Sequence, residues 1–261
     1  MRRVLTAAAL IPIIVYVVLF ANPWVFLGVV ALVAFLCFRE YDAIAASFGF
    51  GAPGIVGYGL GLAILLAGAT PPAVWLLMTV TALVAAVLAM TSQDLSHALP
   101  RAALLCLGVV YIFGCWRCAI PIHETNRHWL MYALILNWVG DAGAYYIGRP
   151  FGRHKMAPRV SPKKSWEGAA ASVVVSIAVA VPYLLYFIPG QKWLPIVLLT
   201  AAANIAGQVG DLAESAMKRG AGVKDSGGLL PGHGGFLDRV DSTLFALPVI
   251  YAYLCAAGLG Q

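Results

Sequence analysis

Apolar residues run along this chain in long, nearly unbroken stretches, with no sustained two-residue alternation between apolar and polar positions. A hydrocarbon layer of roughly 30 Å needs about 20 apolar residues of helix to cross it. Runs of about that order predict helices at 4–20, 23–38, 54–70, 73–91, 102–121, 129–147, 168–188, 193–212 and 241–258. The expected fold class is therefore all-α, a polytopic transmembrane helical bundle of about nine helices. Pro71 and Pro72 separate the third and fourth runs, because adjacent prolines stop a helix and force a reversal. The bundle divides into N-terminal transmembrane helices, 1–128, and C-terminal ones carrying the polar loops, 129–261, as one integral membrane unit.

Composition strengthens that reading. The 261 residues are 61% hydrophobic and 11% charged, against about 45–50% and about 25% in soluble domains. The net charge of +6 has almost no soluble surface to occupy, so nucleic acid is not an expected partner. Cations gathered in a few loops point instead to membrane lipid headgroups or phosphorylated substrates. Cys37, Cys106, Cys115, Cys118 and Cys255 all lie in apolar runs, and the Cys115-x-x-Cys118 pair lacks a second pair of ligands. They read as small buried hydrophobes. The apolar run after Met1-Arg2-Arg3 is longer than the core of a signal peptide, which favours an uncleaved first helix.

Lys and Arg in short loops mark the cytoplasmic side. Arg2 and Arg3 place the N-terminus inside, and alternation then places 39–53, 92–101, 148–167 and 213–240 inside as well. The loop 148–167 carries Arg149, Arg153, Lys155, Arg159, Lys163 and Lys164, whereas the outer loops hold only Arg127 and Lys192. Two features of the first five helices stay open: the Gly57-x-x-x-Gly61 pattern as a packing motif, and Arg117, which snorkelling to the outer surface would explain.

The unusual chemistry is confined to two stretches on that inner face. Asp211 sits at the end of the eighth run; if the helix continues, Ser215 and Lys218 follow on its face. Asp238 and Asp241, at i and i+3, lead into the last helix. Glycines in between let backbone N–H groups approach phosphate oxygens. Two readings fit: a solvated loop of paired charges, or a site where oxygen ligands and phosphates share Mg²⁺. The other stretch begins with Asp141, a carboxylate inside an apolar run and so a candidate site residue. It ends on Ser161-Pro162-Lys163-Lys164-Ser165, with Ser165 as a helix N-cap and the lysines placed for phosphate.

Ser215-x-Met217-Lys218-Arg219, Lys224-Asp225 and His233-Gly234-Gly235-Phe236-x-Asp238-Arg239-x-Asp241 resemble the signature of the CDP-diacylglycerol synthases, or phosphatidate cytidylyltransferases. Ser161-Pro162-Lys163-Lys164-Ser165-x-Glu167-Gly168 is similar to a second motif of that family. The resemblance covers about 141–241. It implies a nucleotidyltransferase that makes CDP-diacylglycerol and pyrophosphate from CTP and phosphatidate for phospholipid biosynthesis. The implied setting is a bacterial-type inner membrane, with a cytoplasmic active site and a homodimeric enzyme. It implies Mg²⁺, alone or with a second cation, held around Asp211, Asp238 and Asp241. Lys218, Lys224 and Asp225 join these three as expected catalytic residues. The expected substrate-binding residues are Asp141, Ser161, Lys163, Lys164, Ser165, Glu167, Ser215, Arg219, His233, Gly234, Gly235 and Arg239. The alternatives are a CTP-dependent enzyme acting on another lipid phosphate or alcohol, and a cation-coupled transporter.

Overall fold

The computed structural model of the chain describes residues 2–67, 71–229 and 234–259. Its helices follow the hydrophobic runs: α1 (Arg2–Leu19), α2 (Pro23–Ala46), α3 (Gly54–Leu66), α4 (Pro71–Ala89), α5 (Ala98–Gly108), α6 (Cys115–Thr125), α7 (Arg127–Phe151), α8 (Trp166–Phe187), α9 (Trp193–Gly220) and α10 (Leu237–Ala256). A π-helical stretch, Val109–Gly114, joins α5 and α6 into one rod. Nine rods among the described residues thus answer the nine predicted runs.

Local signals set several starts. Asn22 accepts from Val25 N at the head of α2, with Pro23 in the first turn, where its missing N–H is harmless. Asn126 does the same for His128 N at α7. Ser165 caps α8 by accepting from Gly168 N at 3.3 Å, as its sequence context predicts.

Helix ends differ from expectation most where the chain turns polar, while α3, α4 and α10 stop a few residues short. α2 runs to Ala46, α7 to Phe151 and α9 to Gly220, each several residues past the predicted boundary. An apolar run ends at its first charges, but the i→i−4 hydrogen-bond ladder does not. These polar extensions carry Glu40, Arg149, Ser215 and Lys218 on helices rather than in loops.

One element departs from the all-α class. β1 (Lys155–Ala157) and β2 (Ser161–Ser165) pair antiparallel, with Lys155 opposite Ser165 and Ala157 opposite Ser161. This hairpin is short, basic and without an apolar face, so hydrophobic periodicity gave no sign of it.

Among the described residues four helical spans are long and apolar enough to cross a membrane: Pro23–Ala46, Leu95–Thr125, Trp166–Phe187 and Trp193–Gly220. The others are shorter or, like α7 and α10, carry charged residues of the site described below. Gly57 and Gly61 do serve packing, because a Cβ on either would run into the ring of Phe38 or Phe113 respectively. Arg117 lies two turns from the end of α6, deeper than expected, and its Nε is buried without a hydrogen-bond partner. The same close-approach principle joins the C-terminal helices. A Cβ on Gly148 of α7 would lie 3.1 Å from the Gly168 Cα of α8, and one on Gly210 of α9 2.7 Å from the Asp241 carbonyl of α10.

Candidate active site

The glycine contacts between α7, α8, α9 and α10 leave a cavity of about 820 Å³ at the end of the bundle that bears the hairpin. Asp141, Tyr145 and Arg149 line it from α7, Lys155, Lys163 and Lys164 from the hairpin. Ser172 of α8, Gln208 and Asp211 of α9 and Ser242 of α10 complete the polar wall. Lys164 Nζ lies 2.7 Å from Asp211 Oδ2, with both side chains about a quarter to a third exposed. Ser215, one turn further along α9, donates its hydroxyl to Asp211 Oδ1 at 3.3 Å. The continued helix therefore brings Ser215 onto Asp211, as its spacing suggested.

Lys218 faces elsewhere. Its ammonium is buried between Glu214, on the same helix, and Asp238 at the head of α10. Glu214 has no exposed side-chain surface, and Lys218 meets it as a charge rather than as an aligned hydrogen bond. Asp238 Oδ2 also accepts from Ser226 N at 2.9 Å, Ser226 Oγ at 3.0 Å and Gly235 N at 2.8 Å. Lys218 and two backbone N–H groups thus occupy the Asp238 carboxylate, with the one Ser226 hydroxyl proton shared between it and Glu40, which ties the loop after α9 to the start of α10.

A second carboxylate reaches the same loop from the other half of the chain. Glu40, buried on α2, accepts from Ser226 Oγ at 2.7 Å, Phe236 N at 3.0 Å and Leu237 N at 2.9 Å. α10 has no side-chain cap from its own N-cap residue; Glu40 supplies one and places a negative charge at the positive end of the helix dipole.

The remaining expected residues are dispersed. Asp241 is buried at the α9–α10 crossing and accepts from Ser242 N at 2.7 Å, so it does not share partners with Asp238. Glu167 holds the entry to the hairpin: it meets His154 Nδ1 at 2.6 Å and accepts from the backbone N–H groups of Arg153 and His154. Arg219 donates to the Val223 carbonyl at 3.2 Å. Lys224, Asp225 and Arg239 are exposed, and Ser161 begins β2 half-buried. Gly234, at φ +78°, turns the chain where a Cβ would strike Asp238. His233 lies outside the described residues.

For Mg²⁺ the donor chemistry fits but the expected trio does not assemble. Among the described residues no three His, Cys, Asp or Glu side chains converge on one point. Asp238 faces the loop, leaving Asp211 and Asp141 on the cavity wall and Asp241 behind them. Mg²⁺ commonly takes one or two carboxylates and completes its shell with water and substrate oxygens, so a two-carboxylate wall beside a cationic one suits it.

Several site residues escaped the sequence reading. Glu214 had a detectable signal, the i,i+4 spacing to Lys218. Arg149 and Lys155 had counted only toward topology. Gln208 had the i,i+4 spacing to Asn204 on its own helix, whereas Glu40 and Ser172 carried no local signal, since their partners come from other helices.

The model of the Cytidylyltransferase family matches residues 1–257. Phosphatidate cytidylyltransferase of Bacillus subtilis (strain 168) is 39% identical over 151 residues, 57% of this chain and 56% of the relative. That of Staphylococcus haemolyticus is 39% identical over 160 residues, 60% and 58% of the two chains. The enzyme of Staphylococcus aureus (strain COL) is 39% identical over 150 residues, 57% of each. The matched region spans somewhat over half the length of these curated relatives.

Proposed function

This chain belongs to the cytidylyltransferase family, and on that premise we propose that it transfers the cytidylyl group of CTP to phosphatidate at the cytoplasmic face of the membrane. The products are CDP-diacylglycerol and pyrophosphate. The observation that carries this reading is the cavity itself. Four cations and two carboxylates, Arg149, Lys155, Lys163 and Lys164 with Asp141 and Asp211, share one wall at the end of apolar helices. Such a site meets a polyphosphate from water and a lipid headgroup from the bilayer.

The chemistry needs little beyond positioning and charge. The phosphate monoester of phosphatidate has a second pKa of about 6 and is largely dianionic near neutrality. Its oxygen attacks the α-phosphorus of CTP; the bond from that phosphorus to the bridging α–β oxygen breaks, and pyrophosphate leaves with the electron pair. No general base is required, in keeping with a cavity wall that holds no histidine among its described residues. The obstacle is bringing two polyanions together, which Lys163, Lys164, Lys155 and Arg149 offset by holding phosphate oxygens. Lys164 also bridges to Asp211, so a phosphate bound to it stands beside that carboxylate. Asp211 and Asp141, with Asp241 behind them, would hold Mg²⁺, which would neutralise charge on the leaving pyrophosphate. Asp238, Lys218, Ser226 and Glu40 keep the loop and the head of α10 in register with that wall.

A panel of acceptors tests the lipid assignment. With CTP, phosphatidate should release pyrophosphate while diacylglycerol and an isoprenyl phosphate should not. Equal release with an isoprenyl phosphate would move the assignment to another lipid.

A further inference from the structure

Inward of Asp211 and level with Asp141, the cavity ends in hydrogen-bonding groups whose polarity is fixed from beneath. Gln208 Nε2 donates to the main-chain carbonyl of Ala169 at 3.1 Å and to Asn204 Oδ1 at 2.7 Å. Asn204 Nδ2 donates in turn to Ser172 Oγ at 3.0 Å and Ser176 Oγ at 2.9 Å. Ser176 gives its proton to the Leu136 carbonyl at 2.6 Å. A main-chain carbonyl can only accept, so Ala169 fixes which end of the Gln208 amide is the NH₂ group. Both N–H bonds of Gln208 are then engaged. Beside the Ser242 hydroxyl, which also lines the cavity, two capacities remain on this floor among the described residues: the acceptor Gln208 Oε1 and the hydroxyl proton of Ser172. Both residues line the cavity.

Charge orders the cavity along its depth. The hairpin lysines and Arg149 stand at the end of the bundle. Gln208 precedes Asp211 by three residues on α9, about 4.5 Å further in, and Ser172 lies six residues into α8, about 9 Å from its start. A nucleoside triphosphate has the same polarity, a polyanionic chain at one end and a neutral base at the other. Only with the base inward do its phosphates meet the cations instead of a floor that carries no cation among the described residues and lies level with the Asp141 carboxylate. A diacylated lipid would leave Gln208 Oε1 unpaired there, because its ester carbonyls and acyl chains have no proton to give.

We propose that Gln208 and Ser172 read the base of the nucleotide: Gln208 Oε1 accepts from the exocyclic amino group of cytosine, and Ser172 donates to the ring nitrogen beside it. Uracil places a carbonyl against Gln208 Oε1 and an N–H against the Ser172 hydroxyl, setting acceptor against acceptor and donor against donor. This inference rests on the reading of the chain as a CTP-dependent transferase and adds the basis of its nucleotide choice.

The test compares CTP, UTP and the 2-pyrimidinone ribonucleoside triphosphate, which lacks the amino group and adds no bulk, at fixed phosphatidate in the full-length protein. The wild type should use CTP with a kcat/KM roughly tenfold to a hundredfold above the other two. Gln208→Leu should bring CTP and the 2-pyrimidinone nucleotide within about threefold of one another, with UTP still disfavoured by its N3–H against Ser172. It should also leave the KM for phosphatidate unchanged, which a merely structural lesion would not do. If Gln208→Leu does not fold, the wild-type comparison of CTP with the 2-pyrimidinone nucleotide decides the matter alone. Equal use of those two nucleotides, an undiminished preference for CTP between them in Gln208→Leu, or a raised phosphatidate KM in its place overturns the assignment. Absence of any turnover of CTP with phosphatidate would overturn the reading beneath it instead.

Discussion

The carboxylate of Glu40 accepts a 2.7 Å hydrogen bond from the hydroxyl of Ser226, a residue 186 positions later in the chain. Through it α2, from the half of the chain with no recognisable motif, caps α10 and anchors the loop that carries Lys224, Asp225 and Gly235. An amide in that place can accept through one atom only, while its NH₂ group would face backbone donors. Glu40→Gln should therefore destabilise the protein by about 1–3 kcal/mol and raise hydrogen exchange at Ser226, Phe236 and Leu237. Wild-type thermal unfolding in detergent, with those amides still protected, would remove Glu40 from the account.

That relationship also marks the limit of what the sequence discloses. Bundle class, helix number and the cluster of cations near one end follow from hydrophobic run length, because a bilayer imposes a fixed length and a one-sided charge bias. The Ser165 cap and the Asp211–Ser215 pair follow from spacing within one helix. Glu40 and Ser172 could not be found this way, since each acquires its role from a partner on another helix, and the Asn204–Gln208 spacing does not tell which way the amide faces. The β-hairpin was hidden for a different reason: with no apolar face, it leaves no periodic trace. The dispersal of Asp211, Asp238 and Asp241 is a third case, because i,i+3 spacing makes a shared direction available to Asp238 and Asp241 without requiring it.

The geometry separates two aspartates that the sequence treated alike. Asp211→Asn should leave unfolding unchanged and reduce activity sharply, with the Mg²⁺ concentration for half-maximal rate raised. Asp238→Asn should instead loosen the loop, cost about 1–3 kcal/mol through unpaired donors and a buried Lys218, and resist rescue by Mg²⁺. Titrating rate against Mg²⁺ alongside thermal melts distinguishes the pair; rescue of Asp238→Asn by Mg²⁺ would contradict the division of roles.

Lys164 and Asp211 should show strong coupling in catalysis but weak coupling in stability. Their partly exposed pair contributes about 0–1 kcal/mol to folding. Loss of a charge-assisted phosphate contact in Lys164→Ala should cost about 1.5–3 kcal/mol in kcat/KM for CTP, and adding Asp211→Asn should cost far less than the sum of the two single changes. A double-mutant cycle measured on both unfolding and kcat/KM reads the two quantities separately. Strictly additive kinetic losses would detach Lys164 from the Asp211 site.

In the orientation we propose from lysine and arginine asymmetry, the hairpin and the α9–α10 loop face the cytoplasm. Lys155→Cys is at an exposed position, and Gly228→Cys at one where a Cβ meets nothing within 4 Å. In a chain otherwise cleared of cysteine, neither should react with an impermeant maleimide added to intact spheroplasts, and both should react after lysis. Labelling of either before lysis would reverse the orientation.

Cytidylyl transfer is tested most directly by following the two ends of CTP separately. Purified protein in phosphatidate-containing bilayers would receive CTP labelled at the α- or at the γ-phosphorus, and the lipid phase would then be extracted. The α-label should appear in the lipid phase in step with phosphatidate consumed, while the γ-label stays in water as pyrophosphate. A γ-label recovered in lipid would indicate a kinase, and an α-label that never leaves the aqueous phase would contradict the transferase reading altogether.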